Sequence, residues 1–433
     1  MPSVWSDSCT LQKREPLKSD TKADVVIIGG GMAGILCAYY LKNAGIDCVI
    51  TEAETCGRGV TQNTTAKITA QHRLIYHKII NSYGAEKASL YLEANLKAVE
   101  NFKKLCEGID CDFEVLPSYV YTVNSPKKLQ KEAEALQRLH SGAEYAESIP
   151  LPFTVDGAVR LNEQAQFNPL KFLEAISREL KIYENTRALK IEDGKVITNR
   201  GSIDAQKIIV ATHFPFLNKH GSYFLKLYQH RSYSIAFENA ENYNGMYVDD
   251  ADTGFSFRNY KDLLIIGGGG HRTGAKGGCY TAVEGLAALY YPKATARYRF
   301  AAQDCMSLDS LPYIGHYSKR TEDVYVATGF SKWGMSGSMV AAQILCDMVC
   351  GRANPYREVF SPQRGMIKPQ LFKNGFHAVK NLLTISDKRC PHMGCALKWN
   401  RAEHSWDCPC HGSRFSENGR LLDNPATGDV KFE

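Results

Sequence analysis

The chain has 433 residues, 44% of them hydrophobic and 23% charged, which is long enough for two or three globular domains. Its net charge of +6 is too weak a bias for a nucleic-acid-binding face, and no run of roughly 18 apolar residues predicts an integral membrane segment. The polar N-terminus lacks the apolar stretch of a signal peptide, so we expect a cytoplasmic protein.

After a polar tail at 1–22, the sequence predicts a strand, a glycine-rich turn, a helix and a second strand. Residues 24–28 (DVVII) are a short apolar run, GGGMAG leads into a helical stretch that ends at Gly45, and residues 47–53 resume the strand pattern. This order predicts the start of a doubly wound α/β domain.

The glycine-rich turn carries a dinucleotide fingerprint. Gly29, Gly31 and Gly34 have the G-x-G-x-x-G spacing, which permits a tight turn, close approach of a pyrophosphate and close packing of helix on strand. The phosphates then rest on the N-terminus of the helix, where free N–H groups favour negative charge. Glu52 ends the second strand and can accept hydrogen bonds from ribose hydroxyls. The fingerprint alone does not choose between FAD and NAD.

The remaining predicted elements fall into two regions that differ in sequence pattern. Helices are predicted at 85–106, 125–142, 168–180 and after 330, and buried strands at 207–213, 263–268 and 324–330. Residues 353–365 carry two prolines and no clear periodicity, which predicts a linker. The last 68 residues, 366–433, are rich in turns and in short β-type runs such as AVKNLLTIS at 378–386. We therefore predict a large α/β part followed by a small all-β domain.

Four motifs relate the large part to a known family. They are GRGVTQNTTAKIT (57–69), IVATH (209–213), SLPYIG (310–315) and VYVATGFSKWGMS (324–336). In this order they resemble the D-amino-acid-oxidase-like flavoproteins, which include glycine oxidase and sarcosine oxidase, over residues 23–352. The resemblance implies FAD as cofactor and an α+β fold overall. FAD-binding segments are expected at about 23–82, 161–213 and 301–352, interleaved with an antiparallel substrate part at about 83–160 and 214–300.

Carried over residue by residue, the resemblance implies a set of FAD contacts and a substrate that is an amine or amino acid. The implied contacts are Gly29, Gly31, Ala33, Gly34, Glu52, Arg58, Thr64, Thr65, Ala66, Thr212, Gly329, Phe330, Gly334 and Met335.

Catalytic candidates come from two loops. His271 and Arg272 follow a strand in the presumed substrate part, where Arg272 could clamp a carboxylate and His271 could accept a proton near neutral pH. Lys332 lies in the loop expected beside the flavin and could stabilise its anionic form. A surface role stays open for all three. The glycine-rich run at 265–274 does not lead into a helix, so we expect a backbone reversal there and no second, nicotinamide site.

Four of the fourteen cysteines lie within residues 390–410, and the two loops that hold them also contain His392 and His411. The loops CPHMGC (390–395) and CPCHG (408–412) interleave C-x-H and C-x-x-H spacings with two extra cysteines. A structural zinc site needs four ligands, commonly with C-x2–4-C spacing. The interleaved pattern is instead that of a Rieske [2Fe–2S] site, in which two cysteines hold one iron and two histidines the other. A zinc knuckle is the alternative.

The resemblance to Rieske domains covers residues 366–433 and implies a role for each of these residues. Cys390 and Cys408 would bind one iron, and His392 and His411 would bind the other. Cys395 and Cys410 would form a disulfide. Ser413 stands where such domains often donate a hydroxyl to a bridging sulfide, and Phe415 stands where they often carry a tyrosine. Fewer hydrogen bonds to the sulfurs predict a potential below that of high-potential respiratory Rieske centres.

A flavin accepts two electrons at once, and a [2Fe–2S] cluster carries one. A chain that holds both can therefore convert two-electron transfer into one-electron transfer. The sequence thus predicts an FAD-dependent enzyme that oxidises the C–N bond of an amine or amino acid and passes electrons through the cluster to a redox protein or quinone. Three alternatives stay open: reverse flow from a ferredoxin-like donor, a non-enzymatic redox sensor or carrier, and a Rieske oxygenase. The last requires two histidines and a carboxylate, and His213 and His220 lack the expected acid.

Overall fold

Helices and three β-sheets make up the part of the chain that the computed structural model describes, residues 2–217 and 220–432. The α-helices are α1 Val4–Ser8, α2 Met32–Asn43, α3 Tyr76–Tyr83, α4 Ala85–Cys106, α5 Pro126–Arg138, α6 Pro169–Ser177, α7 Tyr223–Lys226, α8 Cys279–Tyr290, α9 Gly334–Val349, α10 Arg357–Phe360 and α11 Pro369–Leu383. The strands are β1 Thr21–Ile28, β2 Cys48–Thr51, β3 Lys67–Ile68, β4 Glu114–Thr122, β5 Glu144–Ala146, β6 Gly157–Gln166, β7 Ile182–Tyr183, β8 Ala188–Glu192, β9 Lys195–Thr198, β10 Gly201–Val210, β11 Leu227–Glu238, β12 Met246–Asp249, β13 Ser256–Tyr260, β14 Leu263–Arg272, β15 Thr295–Ser307, β16 Tyr313–Ser318, β17 Thr321–Thr328, β18 Lys398–Asn400, β19 Ser405–Asp407, β20 Arg414–Ser416 and β21 Leu421–Asp423.

The first sheet has eight strands and forms the nucleotide-binding layer. Its path runs β16-β17-β10-β1-β2-β7, with β9 paired to β10 and β8 to β9. The pairs among β17, β10, β1, β2 and β7 are parallel. All four residues from Val25 to Ile28 are buried, as expected for a parallel strand covered on both faces. Helices α2 and α9 pack against each other beside this sheet, so the predicted doubly wound fold is confirmed.

The second sheet has nine strands and is almost wholly antiparallel. Its path runs β15-β11-β14-β13-β12-β4-β6-β3, with β5 paired to β6. The pairs are antiparallel except for β12 with β4, which are parallel. Strands β11 and β15 pair over their whole lengths, from Leu227 with Ser307 to Glu238 with Thr295. The sheet places the end of β14 and the middle of β15 toward the C-terminal domain.

The third sheet is small and antiparallel, in the order β18-β19-β20-β21, and belongs to the C-terminal domain. Its core combines the four clustered cysteines with Leu397, Phe415, Leu421 and Ala426. The run at 378–386, predicted to be of β type, is instead helical up to Leu383, because α11 begins at Pro369 and continues through it. None of the helices formed by the described residues is both long and apolar enough to span a bilayer.

Two segments predicted to be a tail and a linker are packed into the large part. Trp5 in α1 is fully buried, and its indole N–H donates to the carbonyl of Thr64 at 2.7 Å. Within residues 353–365, Phe360 stacks on Tyr91, with ring centroids 5.4 Å apart. The sequence of the first twenty residues is polar, and one tryptophan is the signal that could have predicted its docking.

Candidate flavin and iron–sulfur sites

The glycine-rich turn lies between β1 and α2 and needs glycine for steric reasons. Gly29 has φ of +113°, and a side-chain carbon there would lie 2.6 Å from the carbonyl oxygen of Ala211. A side-chain carbon on Gly34 would collide with the carbonyl oxygen of Gly29. Gly31 is the N-cap of α2 and has no side chain over the first turn of the helix. The N-terminus of α2 is thus left open to an anion.

Glu52 lies at the end of β2 beside this turn. Its carboxylate accepts hydrogen bonds from the backbone N–H of Gly30 at 2.7 Å and of Glu54 at 2.9 Å. Burial raises the pKa of Glu52, although these two hydrogen bonds act in the opposite direction. The carboxylate is therefore fixed at the edge of the cavity in which a ribose would lie.

A cavity of about 850 Å³ extends from the glycine-rich turn to the C-terminal domain. Eleven of the fourteen predicted FAD contacts line it: Gly29, Gly31, Ala33, Glu52, Arg58, Thr64, Thr65, Thr212, Phe330, Gly334 and Met335. The other three, Gly34, Ala66 and Gly329, are not among its lining residues. The open helix terminus, the steric need for glycine and this size fit a dinucleotide. In the C-terminal domain, Glu403 and Asn424 also line the cavity.

The two cysteine–histidine loops have the same backbone geometry. The N–H of Gly394 donates to the carbonyl of Cys390, and the N–H of Gly412 donates to that of Cys408, both at 2.9 Å. The hydrogen bond between the Cys390 and Cys408 thiols lowers the pKa of Cys390 to about 7, so a thiolate is accessible at neutral pH. The same hydrogen bond, together with burial, raises the pKa of Cys408. Two neighbouring cysteine sulfurs of this kind are suited to one iron of a cluster, whose charge would favour both thiolates.

His392 and His411 face each other across these loops, with ring centroids 4.9 Å apart and planes at 87°. Burial lowers the pKa of His392 to about 4 and that of His411 to about 3, which keeps both imidazoles neutral, the form that binds metal. The buried Nδ1 of His411 has no hydrogen-bond partner within residues 2–217 and 220–432. A buried nitrogen of this kind fits a metal ligand. The set of two thiols and two neutral imidazoles therefore fits a Rieske cluster.

A disulfide joins Cys395 to Cys410, with Cα atoms 6.6 Å apart, and so connects the two loops. The Cys408 sulfur lies within 4.8 Å of both of its sulfurs. Ser413 and Phe415 are fully buried behind the loops. The Ser413 hydroxyl bonds the Cys390 thiol and accepts from the backbone N–H of Ala426 at 3.0 Å. Its position is thus the one expected of a donor to the cluster sulfurs.

The second cluster loop contacts the large part directly. The Gln303 side-chain amide donates to the carbonyl of Gly412 at 2.8 Å. The Asn424 side-chain amide donates to the carbonyls of Thr212 and Phe214, both at 2.7 Å. Thr212 is a predicted flavin contact, so a single asparagine connects the flavin-side loop with the C-terminal domain.

Buried ion pairs hold the two domains together. Arg231 of β11 donates through two nitrogens to the Glu403 carboxylate, one of them at 2.9 Å. Glu403 also pairs with Arg414 at 3.1 Å, and Arg414 pairs in addition with Asp407 at 3.0 Å and Asp423 at 2.9 Å. Sequence reasoning missed this network because Arg231 and Glu403 are 172 residues apart.

The structure separates the three catalytic candidates. Arg272 donates to Asn374 Oδ1 at 3.0 Å and lies near the carbonyls of Pro409 and Cys410, so it faces the cluster loop and does not line the cavity. Its predicted role as a carboxylate clamp does not fit this location, because these groups occupy its guanidinium. His271 bonds the Tyr233 hydroxyl at 3.0 Å and likewise does not line the cavity.

Lys332, the third candidate, lines the cavity. Its ammonium donates to the Ser232 hydroxyl at 2.6 Å and pairs with Asp304 at 3.3 Å. Burial lowers the pKa of Lys332, and the charge of Asp304 opposes that effect. The Lys332 ammonium is therefore paired with the Asp304 carboxylate, which holds it in place.

Sequence reasoning missed Lys67, a second lysine that lines the cavity. Its ammonium lies 3.2 Å from the Thr65 hydroxyl and 3.5 Å from that of Ser256, and within the described residues no carboxylate lies at ion-pair distance. Burial lowers its pKa to about 7, and the charge of Arg258 adds to the effect. The signal in the sequence is its place directly after the Thr64-Thr65-Ala66 motif.

The fold and these two sites define a flavoprotein oxidoreductase joined to a Rieske iron–sulfur domain. The family model described as FAD dependent oxidoreductase matches residues 24–348, and the Rieske [2Fe-2S] domain model matches residues 370–432. The chain belongs to the FAD dependent oxidoreductase family and carries a Rieske domain. The predicted cofactors are thereby confirmed: the large part binds FAD, and the C-terminal domain binds a [2Fe–2S] cluster.

Known proteins similar to this chain share both parts or the larger one. The Rieske 2Fe-2S iron–sulfur protein YhfW of Bacillus subtilis is 34% identical over 99% of this chain and 97% of its own length. Glycine oxidase from Geobacillus kaustophilus aligns with a TM-score of 0.68 at 17% identity, over 80% of this chain and 99% of its own. L-proline dehydrogenase from P. horikoshii aligns with a TM-score of 0.67 at 18% identity, over 83% and 99%. The last two likenesses show a shared fold.

Proposed function

We propose that this protein oxidises the C–N bond of an amine or amino acid and delivers the electrons through the Rieske cluster to an external acceptor. The observation that carries the proposal is the cavity whose walls combine flavin-binding residues with residues of the Rieske domain. The solved structures of similar fold include a glycine oxidase and an L-proline dehydrogenase, which supports a C–N substrate. Bound FAD accepts a hydride, and the cluster accepts one electron at a time.

The residues that would hold the two cofactors are the ones predicted from the sequence. The open turn between β1 and α2 binds the pyrophosphate of FAD, and Glu52 binds the ribose. The cluster is held by the Cys390 and Cys408 sulfurs together with the two imidazoles. Each position is supported by the fit described above for the helix terminus, the thiol pair and the neutral imidazoles.

Lys67 prepares the substrate in this proposal. An amine must be neutral when a hydride leaves its carbon, because the nitrogen lone pair forms the new C=N bond. With its pKa lowered to about 7 by burial, the Lys67 amine can accept the proton of a substrate ammonium at neutral pH. Lys332 is held in position by its pair with Asp304, whose charge favours the ammonium form, and in that form it stabilises negative charge on the flavin side of the cavity.

The test is an anaerobic screen of the purified holoprotein with amines and amino acids. A substrate is expected to bleach the flavin absorbance, after which the EPR signal of the reduced cluster appears. In Cys408→Ser the flavin is expected to bleach at the wild-type rate without any cluster signal. If dithionite bleaches the flavin and no amine or amino acid does so, the proposed C–N chemistry is wrong.

A further inference from the structure

Helix α11 buries its polar face and exposes its apolar face. The residues it buries are two asparagines, Asn374 and Asn381, each 5% exposed. Phe372 and Phe376 are each 68% exposed, and Leu383 is 78% exposed. A helix on the surface of a globular protein normally buries its apolar stripe and exposes its polar one. The apolar face of α11 is therefore available to something outside the described chain.

Specific contacts fix α11 in this orientation. Asn374 donates to the carbonyl of Leu225 at 3.2 Å and accepts from Arg272 at 3.0 Å. The backbone N–H of Ala396, next to the disulfide, donates to the carbonyl of Asn381 at 3.1 Å. Rotating the helix to bury its phenylalanines would break all three hydrogen bonds. The exposed apolar face is thus a consequence of how the Rieske domain is built.

The apolar surface extends beyond the helix on both sides. Ile367 precedes it and Ile385 follows it, and both are almost fully exposed. Met393, in the first cluster loop beside the ligand His392, is also exposed. The surface therefore runs from the start of α11 to the edge of the cluster.

The charges around this surface are predominantly positive. Residues 366–386 contain no aspartate or glutamate and three lysines, Lys368, Lys373 and Lys380. Asp387 follows as the single acid between residues 366 and 393, and Lys388 and Arg389 come directly after it. An exposed apolar face flanked by cations is the composition of a helix that lies in the headgroup region of a bilayer. Two copies of this chain meeting through the same face would bring like charges together.

We propose that α11 and its flanking residues, Ile367 to Met393, bind the surface of an anionic lipid bilayer. The phenylalanines enter the boundary between headgroups and acyl chains, and the lysines contact anionic headgroups. The cluster edge at Met393 then faces the lipid. The proposal concerns attachment alone and does not depend on the amine chemistry.

Co-sedimentation of the holoprotein with vesicles tests this proposal. Wild type is expected to pellet with vesicles of equal parts phosphatidylcholine and phosphatidylglycerol and to stay in solution with phosphatidylcholine alone. Replacing Phe372 and Phe376 together by serine is expected to weaken binding at least tenfold, because the buried apolar area is lost. The matched control is Leu289→Ser, which changes an equally exposed side chain on α8 and is expected to leave binding unchanged.

Charge-reversal variants test the electrostatic part of the proposed lipid binding independently. Lys373→Glu with Lys380→Glu is expected to weaken binding at least about fivefold per residue, whereas Lys127→Glu with Lys128→Glu on α5 is expected to have no effect. Flavin absorbance and the cluster EPR signal show that each variant is folded and loaded. The proposal is overturned if wild type does not pellet with anionic vesicles at low salt, or if the phenylalanine variant binds as well as wild type. It is also overturned if light scattering shows a dimer that this variant dissociates, or if only an acidic protein binds the face.

Discussion

The substitution Glu403→Gln tests whether the Rieske domain is held in place by buried charge. Glu403 is the carboxylate that contacts Arg231, with one N–O distance of 2.9 Å, and the side chains are 13% and 3% exposed. Glutamine has nearly the same shape and keeps one acceptor oxygen, so packing is preserved while the charge is removed. In the variant Arg414 keeps Asp407 and Asp423 as partners, whereas Arg231 loses its carboxylate partner.

The magnitude follows from the burial of Arg231. Leaving one member of a buried ion pair without its partner costs about 3–5 kcal/mol. Because glutamine retains one hydrogen bond, we expect about 3 kcal/mol, which is roughly a hundredfold increase in the population of the undocked domain. The charges of Arg231 and Arg414 outweigh the effect of burial, which would raise the pKa of Glu403, and lower it below the ordinary value. The ionised form thus stabilises docking above the unfolded pKa, and this contribution is lost as the pH falls through the folded pKa.

Hydrogen exchange and stopped-flow kinetics measure the effect. In Glu403→Gln the amides of β18 and β19 are expected to exchange faster by roughly a hundredfold. Cluster reduction after flavin bleaching is expected to slow, while bleaching itself is unchanged. Glu144→Gln, which removes one member of an exposed pair with Arg160, is the matched control and should change stability by less than about 1 kcal/mol. Exchange and cluster reduction within twofold of wild type in Glu403→Gln would refute the reasoning.

Three further predictions concern single positions. Gly34→Ala is expected to yield protein without flavin absorbance, since its side-chain carbon would collide with the carbonyl of Gly29, whereas Gly285→Ala in the open middle of α8 should keep it. For Lys67→Met, the gain in urea-unfolding stability over wild type is expected to shrink as pH rises above 7, by about 1.4 kcal/mol per unit. Above pH 7 the folded wild type releases the proton of Lys67, whereas the unfolded chain keeps it, so wild type becomes more stable relative to the variant. A stability difference that does not change with pH would contradict the lowered pKa. Phe415→Tyr is expected to raise the cluster potential in a redox titration by adding a donor near the sulfurs, and a lowered or unchanged potential would contradict this.

What the sequence predicted well lies in short motifs whose chemistry is local. The spacing of Gly29, Gly31 and Gly34 follows from backbone contacts within one turn, and the structure shows those contacts. The two cysteine–histidine loops fold as local turns closed by Gly394 and Gly412, and so their residues meet as the spacing indicates.

What the sequence did not predict depends on contacts between distant segments. The loop position of Arg272 indicated a substrate clamp, and only the packing of the Rieske domain shows that it faces Pro409 and Cys410. Lys67 belongs to β3, and its side chain is buried beside Ser256 of β13, 189 residues away in the sequence, and beside Arg258 of the same strand. The run at 378–386 was mistaken for a strand because it was considered by itself. The helical spacing of Phe372, Phe376, Val379 and Leu383 begins before residue 378.

The contacts of β15 connect the two sites between which we propose that electrons pass. Gln303 donates to the second cluster loop at Gly412, and the next residue, Asp304, pairs with Lys332 on the flavin side of the cavity. Two consecutive residues of one strand thus contact the second cluster loop on one side and a lysine of the cavity on the other. With the second loop occupied by these contacts, the first loop and its exposed Met393 are the part of the cluster edge open to an outside partner. In the proposed electron transfer, electrons would enter the cluster on the side of the second loop and leave it on the side of Met393.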